Sequence, residues 1–448
     1  MKNNLTNVNL VTYSQRCPGI QPEHFLRQAA GLPRFYWEYE NTVYAGFGIA
    51  AELTAWGDER FERIHSQAAR IFHDVQFLNN EPIAHPHLFG GFSFRPDFIT
   101  ENTWASFAPA YFVLPHFQFA QVDGESWLTI NLLLSADETL AEDEIREALN
   151  ARYTALLESV AEPPAANELS EINYPLSYEA WSGIITEAIA RMKAGELQKV
   201  VLARVCELRF EDRVDIDSAL DFLRIKYVGC TIFLFEPIPH LAFYGATPEL
   251  LVNVEGLNIE TMALAGSIKR GATPAEDDAL AGELSNDPKN RYEHALVADA
   301  IRARLAPLTD SLTMPSEPQI LRLSNIQHLY TPIRGTLKQA SGVLPLVESL
   351  HPTPAMGGVP QTKAMNYIAA AEPVPRGWYA APIGWIDQNL DGAFAVAIRS
   401  AISQNERVWL YAGAGIVADS EPQKEWDETA LKFKPMLDAL GAQAYVNA

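Results

Sequence analysis

The residue types best suited to chemistry gather toward the C-terminus, in residues 412–434, AGAGIVADSEPQKEWDETALKFK. Glu425, Glu428 and Lys432 stand at i, i+3 and i+7, so a helix there would carry two acids and a base on one face. Trp426, Ala430, Phe433 and Leu437 would form its apolar face. Gly413 and Gly415 precede a Ser-Glu-Pro helix start and read as a glycine turn, where backbone N–H groups can approach an anion closely. A charge stripe alone is more often a solvated helix face than a site. Three residues elsewhere bear on it. Lys199, in QKVVLARVCELRF, shares a strand face with Val201 and Ala203. Glu293 shares a helical stripe with Val297, Ala300 and Ile301, and a carboxylate turned to the apolar side is either paired or bound to a metal. Arg399, in GAFAVAIRSAIS, shares a strand face with Ala395 and Ala397, which leaves room for something flat and anionic. Each has a plainer alternative: a snorkelling lysine, a core-edge salt bridge, an arginine on an exposed strand face.

Pattern also indicates the elements that must hold these side chains. Residues 35–57 mix aromatic and β-branched residues in near alternation and read as strands, followed by a helix over 58–77. Residues 87–134 are again strand-rich, with Asp123-Gly124 as a hairpin turn, and 142–160 read as a helix. AEPPAANELSEINYP lacks periodicity and is the best linker candidate. The expected organisation is a strand-rich half at 1–160, a linker at 161–176, and a region at 177–448 that carries the chemistry. In that region Trp181, Ile185, Ala188 and Met192 keep helical spacing up to Gly195, and a second helix is expected over 217–227. Thr273-Pro274 with Glu276 makes a capping box, and Asp287-Pro288 repeats the device one helix later. Runs of strands separated by helices indicate α+β rather than a doubly wound fold.

The totals narrow the partners. A net charge of -22 over 448 residues argues against nucleic acid or an anionic membrane, so an anionic ligand would need a local cationic pocket or a metal. Cys17, Cys206 and Cys230 have neither disulfide-framework nor zinc spacing, which fits a reduced, cytoplasmic protein. The polar start MKNNLTNVNL has no signal core, and no apolar run approaches the roughly 18 residues of a membrane helix.

From about residue 197 onward, KVVLAR, GATPELL, LAGS, SNDPKNRYEHALV, HLYTPIRG, HPTPA, AIRS, AGAGIVADS and EWDET occur in an order that resembles the chorismate-utilising enzymes. PRGWYAAPIGW and HPTPAMGG look most like their isochorismate-forming branch of the menaquinone type. The resemblance implies a fold of packed antiparallel sheets with surrounding helices. It also implies conversion of chorismate to isochorismate, by addition of water at C2 and loss of the C4 hydroxyl. Lys199 matches the family's base and Glu249 its acid. The acid must stay protonated, which apolar neighbours such as Tyr244, Pro248 and Leu250 favour. Glu293 and Glu425 match the Mg²⁺ ligands, with Glu428 acting through a bridging water. Gly266, Tyr379, Arg399, Gly413, Gly415 and Lys432 resemble the substrate-binding set, and His328 either joins it or is a structural histidine. His351 reads as loop architecture.

Within the family, Ala265 stands where the aminodeoxychorismate branch has a nucleophilic lysine, and Lys199 where the anthranilate branch has glutamine. No glutaminase-type Cys/His arrangement is present, so no glutaminase partner is expected, and relatives of this type imply a monomer. Salicylate synthase shares the base, the acid and the metal ligands and is the alternative activity. A chorismate-binding protein without catalysis is the remaining one.

Overall fold

A computed structural model of the chain describes residues 8–98, 102–135, 138, 140–158 and 168–442. Among these residues it has twenty-three strands and ten α-helices. The pairings are antiparallel, except where Gln76–Phe77 runs parallel to Val8–Arg16. The fold is α+β, built on two large sheets.

The 13-stranded sheet runs in the order Leu169–Asn173, Lys199–Phe210, Arg407–Ile416, Ser400–Gln404, Leu241–Thr247, Thr231–Ile238, Arg34–Tyr39, Thr42–Phe47, Phe117–Val122, Glu125–Ser135, Val8–Arg16, Gln76–Phe77. Gly358–Val359 lies beside Lys199–Phe210. The 10-stranded sheet runs Thr309–Thr313, Ile326–Leu337, Asn258–Lys269, Leu250–Glu255, Gly392–Val396, Pro382–Ile386, Leu88–Phe92, Ala110–Leu114, Ala51–Ala55, with Gln319–Arg322 beside Ile326–Leu337. In both sheets the strands from before and after residue 160 form separate blocks that join at a single pairing: Tyr36 pairs with Leu234, and Gly91 with Ile383.

The two sheets face each other across one core. Trp37, Leu202 and Phe233 reach into it from the larger sheet, Phe89, Tyr111 and Ile383 from the smaller. The far face of the larger sheet is covered by helices Pro22–Gln28, Glu142–Glu158, Ile216–Lys226 and Pro422–Ala439. That of the smaller is covered by Arg60–Ile71, Pro288–Leu305 and Leu344–Leu350. Each sheet is thus apolar on both faces, and each face is buried against a partner layer.

Local signals account for several element ends. Asp123 and Gly124 take positive φ in the turn between Phe117–Val122 and Glu125–Ser135. Ser177, Thr273 and Asp287 each accept a backbone N–H in the first turn of the helix they precede. Elsewhere tertiary pairing overrides pattern. The helix expected over 58–77 stops at Ile71, because Gln76 and Phe77 pair with Val11 and Thr12. The helix expected to 160 is described as Glu142–Glu158, and residues 159–160 lie outside the described residues. So do residues 1–7 and residues 161–167 of the stretch read as a linker, whereas Leu169–Asn173 in that stretch pairs with Lys199–Phe210.

Candidate active site

Two side chains of opposite character sit where the chain changes sheets. Glu249 lies between Leu241–Thr247 of the larger sheet and Leu250–Glu255 of the smaller. Arg399 lies between Gly392–Val396 of the smaller sheet and Ser400–Gln404 of the larger. The segment GAFAVAIRSAIS is thus not one strand, and Arg399 is not on a face shared with Ala395 and Ala397. It takes a φ of 52°, a left-handed conformation that turns the chain from one sheet into the other. The two crossings are tied together by Ala246 N–H to Arg399 O at 3.1 Å and Val396 N–H to Glu249 O at 2.9 Å. Gly245 is required beside them, since a Cβ there would come within 2.5 Å of Arg399 O.

A cavity of about 640 Å³, counting its mouth, opens at this seam. Glu249, Gly266, Glu293, His328, Tyr379, Arg399, Gly413, Gly415, Glu428 and Lys432 all line it, from segments far apart in the chain. Lys199 and Glu425 stand just behind the wall. Lys199 is fully buried, with Nζ 2.9 Å from Glu293 Oε1 at an angle unsuited to a hydrogen bond. The reason for Gly415 is visible here, since a Cβ would meet Glu293 Oε1 at 2.2 Å and Lys199 Cε at 3.1 Å.

Gly413 and Gly415 do not form a turn. They lie inside strand Arg407–Ile416, opposite Ala203 and Val201, and their missing side chains make room for the Tyr379 hydroxyl and for Glu293. Gly266 is the bulged residue of Asn258–Lys269, at a φ of 76°. The bulge aims its carbonyl at His328 Nδ1, 3.3 Å away. Burial first, and then Arg399, push the His328 imidazole well below its ordinary value, so it is neutral. Nδ1–H donates to Gly266 O, and Nε2 is left to accept from Arg399 Nη2 at 3.5 Å. The Tyr379 ring stacks on Tyr411 at 5.1 Å, and burial pushes its hydroxyl up to about 12, so it stays a donor.

Burial pushes the Glu249 carboxyl up to about 8, against the opposing pull of Lys199, Lys432 and Arg399. It is a carboxylic acid at neutral pH. On helix Pro422–Ala439, Glu425 is buried and donated to by Lys289 Nζ at 2.7 Å, while Glu428 pairs with Lys432 at 2.6 Å. Burial and the neighbouring Glu428 raise the Glu425 carboxyl despite Lys289. At Glu428 burial acts the same way, but Lys432, with Lys289 and Arg399, outweighs it and holds the carboxyl low. The helix turns Glu425, Thr429, Phe433 and Leu437 inward and leaves Ala430 exposed. Trp426 is half-buried, with the Arg204 guanidinium over its ring at 3.6 Å and donating to Thr429. The acidic stripe is therefore the inner face rather than a solvated one.

Among the described residues no three His, Cys, Asp or Glu side chains converge closely enough to hold a metal by themselves. Glu425 nevertheless accepts from the Lys289 ammonium at 2.7 Å, and the charges of Glu293 and Glu428 also favour that cation. An all-oxygen set supplying one or two carboxylates, completed by substrate and water, suits Mg²⁺.

Pattern reading missed Lys289, Glu372, Arg376 and Tyr411, which hold or support this wall. Glu372 and Arg376 carried a signal in their i, i+4 spacing. Lys289 had only its place beside Pro288.

Residues 1–441 match the model of the family described as chorismate binding enzyme, and the chain belongs to that family. It is 35% identical to the isochorismate synthase MenF of Bacillus subtilis, over 97% of this chain and 94% of that protein. It is 36% identical to the salicylate biosynthesis isochorismate synthase of Pseudomonas aeruginosa, over 92% and 85%. The structure of the menaquinone-specific isochorismate synthase MenF of Escherichia coli superposes with a TM-score of 0.79 at 27% identity, over 96% and 94%. Anthranilate synthase component I of Streptococcus pneumoniae shares the fold, with a TM-score of 0.70 at 20% identity.

Proposed function

We propose that this chain converts chorismate to isochorismate, as an early step toward menaquinone. The observation that carries the reading is Glu249, a carboxylic acid kept protonated by burial in the wall of a cavity that also holds Arg399, Tyr379 and Lys432. In this reading Lys199 takes a proton from the water that bonds to C2. Glu249 gives its proton to the C4 hydroxyl as that C–O bond breaks, and the ring double bonds shift between. Arg399, with its fork of donors, and Tyr379 hold a substrate carboxylate, and Lys432 adds positive charge. Gly266, Gly413 and Gly415 keep the wall thin enough for the ring to approach, and neutral His328 supports Arg399.

Glu293 and Glu425 would hold Mg²⁺, with Glu428 reaching it through water. The ion would supply positive charge to a substrate carboxylate. In a protein of net charge -22, such local cations offset the field that a dianion meets. Three buried thiols fit the reducing cytoplasm. A monomer acting without a glutaminase or a membrane is the assembly proposed, and among the described residues no helix is long and apolar enough to cross a membrane.

The test is incubation with chorismate and Mg²⁺, followed by chromatography of the products. Isochorismate is expected, and Lys199→Ala should abolish it while Mg²⁺-dependent chorismate binding persists. Salicylate with pyruvate would replace the proposal by a lyase. Unchanged chorismate would refute any catalytic reading.

A further inference from the structure

The cavity has two buried arginines, and their donors are committed differently. Among the described residues the Arg399 side chain makes a single long hydrogen bond, to His328. Arg376 uses four of its five N–H groups inside the protein. Nε and Nη2 donate to the two oxygens of Glu372 at 2.9 and 2.6 Å, Nη1 to Met356 O at 2.9 Å, and Nη2 again to Val201 O at 2.8 Å. The Arg376 carbonyl accepts the Tyr379 N–H at 2.9 Å. Glu372 Oε1 also accepts the Ala203 N–H at 2.8 Å. Both side chains are almost wholly enclosed, and the guanidinium lies 4.3 Å from the Phe94 ring centre.

One ion pair thus ties together three walls. Val201 and Ala203 belong to the strand that begins at Lys199. Met356 ends the segment whose continuation, Gly358–Val359, pairs with Lys199 and Val200. Tyr379 stands in the turn that Arg376 itself begins. An arginine so committed has little left to offer a substrate, whereas its planar fork fixes the position of every acceptor it reaches.

We propose that Arg376 and Glu372 are positioning residues that set the distance between the strand carrying Lys199 and the turn carrying Tyr379, and so govern turnover rather than substrate affinity. This rests on the reading of Lys199 and Tyr379 given above. The carboxylate anchor at Tyr379 and the attacking water at Lys199 must meet the same ring, and an error of about 1 Å in such geometry costs on the order of 100-fold in rate.

The experiment is steady-state kinetics of Arg376→Lys and Glu372→Gln with chorismate and saturating Mg²⁺, alongside Lys199→Ala, with folding checked by circular dichroism. Lysine keeps the charge but cannot span Glu372 and two carbonyls, so kcat should fall by about 100-fold with KM within about threefold of wild type. Glutamine can keep the acceptor for Ala203 and Arg376 Nη2, but it loses the charge and sets an NH2 donor against Arg376 Nε–H, so kcat should fall by about 10-fold at unchanged KM. Wild-type kcat in folded Arg376→Lys would overturn the proposal, and so would a raised KM at wild-type kcat, which would make Arg376 a substrate contact. If Arg376→Lys does not fold, Glu372→Gln decides by the same split. Turnover retained by Lys199→Ala would overturn the underlying reading as well. Loss in Lys199→Ala beside wild-type kcat in Arg376→Lys would overturn this proposal alone.

Discussion

Replacing Glu249 with glutamine preserves the shape of the side chain and removes its proton equilibrium, which makes the buried acid measurable without any substrate. Burial lifts this carboxyl from 4.5 to about 8. Between those values the folded chain holds a proton that the unfolded chain has released. A group raised in this way contributes stability that is full below the unfolded value and is lost as pH rises through the folded one. At about 1.36 kcal/mol per unit, the whole window is on the order of 5 kcal/mol, and the part from about pH 5.5 to about pH 8 is about 3 kcal/mol. An unfolding entropy near ~2.1 cal/mol/K per residue makes about 0.9 kcal/mol equivalent to one degree of Tm in a chain of this length. Thermal unfolding followed by circular dichroism, in chelator and without chorismate, should therefore show the wild-type midpoint falling by about 3 °C relative to Glu249→Gln across that range. The difference should level off above about pH 8.5. A difference that stays flat, or moves the other way, would mean that Glu249 is ionised at neutral pH and cannot deliver a proton. The assignment of the acid would then be wrong.

Two substitutions examine the rest of the wall. Gly415→Ala puts a Cβ 2.2 Å from Glu293 Oε1, so it should cut turnover by about 100-fold and raise the Mg²⁺ concentration needed for half-maximal rate, read from a metal titration. Arg399→Met removes a charged donor whose hydrogen bonds to an anion are worth about 1.5–3 kcal/mol. It should therefore raise KM for chorismate by about 10- to 100-fold in initial-rate measurements, with the fold intact by circular dichroism.

Features set by a few adjacent residues were legible in the sequence. Asp123-Gly124 specifies its turn by the φ those residues tolerate, and Thr273 and Asp287 specify helix starts by the oxygen they offer. Much of the cavity lining was reachable through ordered motifs, because Glu249, Glu293 and Lys432 each belong to a recognisable run. Features set by distant partners were not legible. GAFAVAIRSAIS alternates like one strand, and only the neighbouring crossing at Glu249 makes it bend at Arg399. The helix Pro422–Ala439 has two plausible inner faces, and the one that is buried carries Thr429, which accepts from Arg204, a residue far back in the chain. The glycines 413 and 415 read as a turn by type, yet their role is to be small within a strand, which needs Glu293 and Tyr379 in view.

In both sheets the block of early strands joins the block of late ones at one pairing, which has a consequence for how the chain comes into being. When residues 34–39 and 88–92 leave the ribosome, their hydrogen-bonding partners Thr231–Ile238 and Pro382–Ile386 do not yet exist. The nascent chain therefore carries two open strand edges until those partners emerge, each able to pair with the wrong neighbour. Contacts so distant in sequence close late and slowly. The cavity at the seam is accordingly among the last features to form. Release of the C-terminal strands and helix, rather than completion of the aromatic-rich first half, is the event that makes the protein competent.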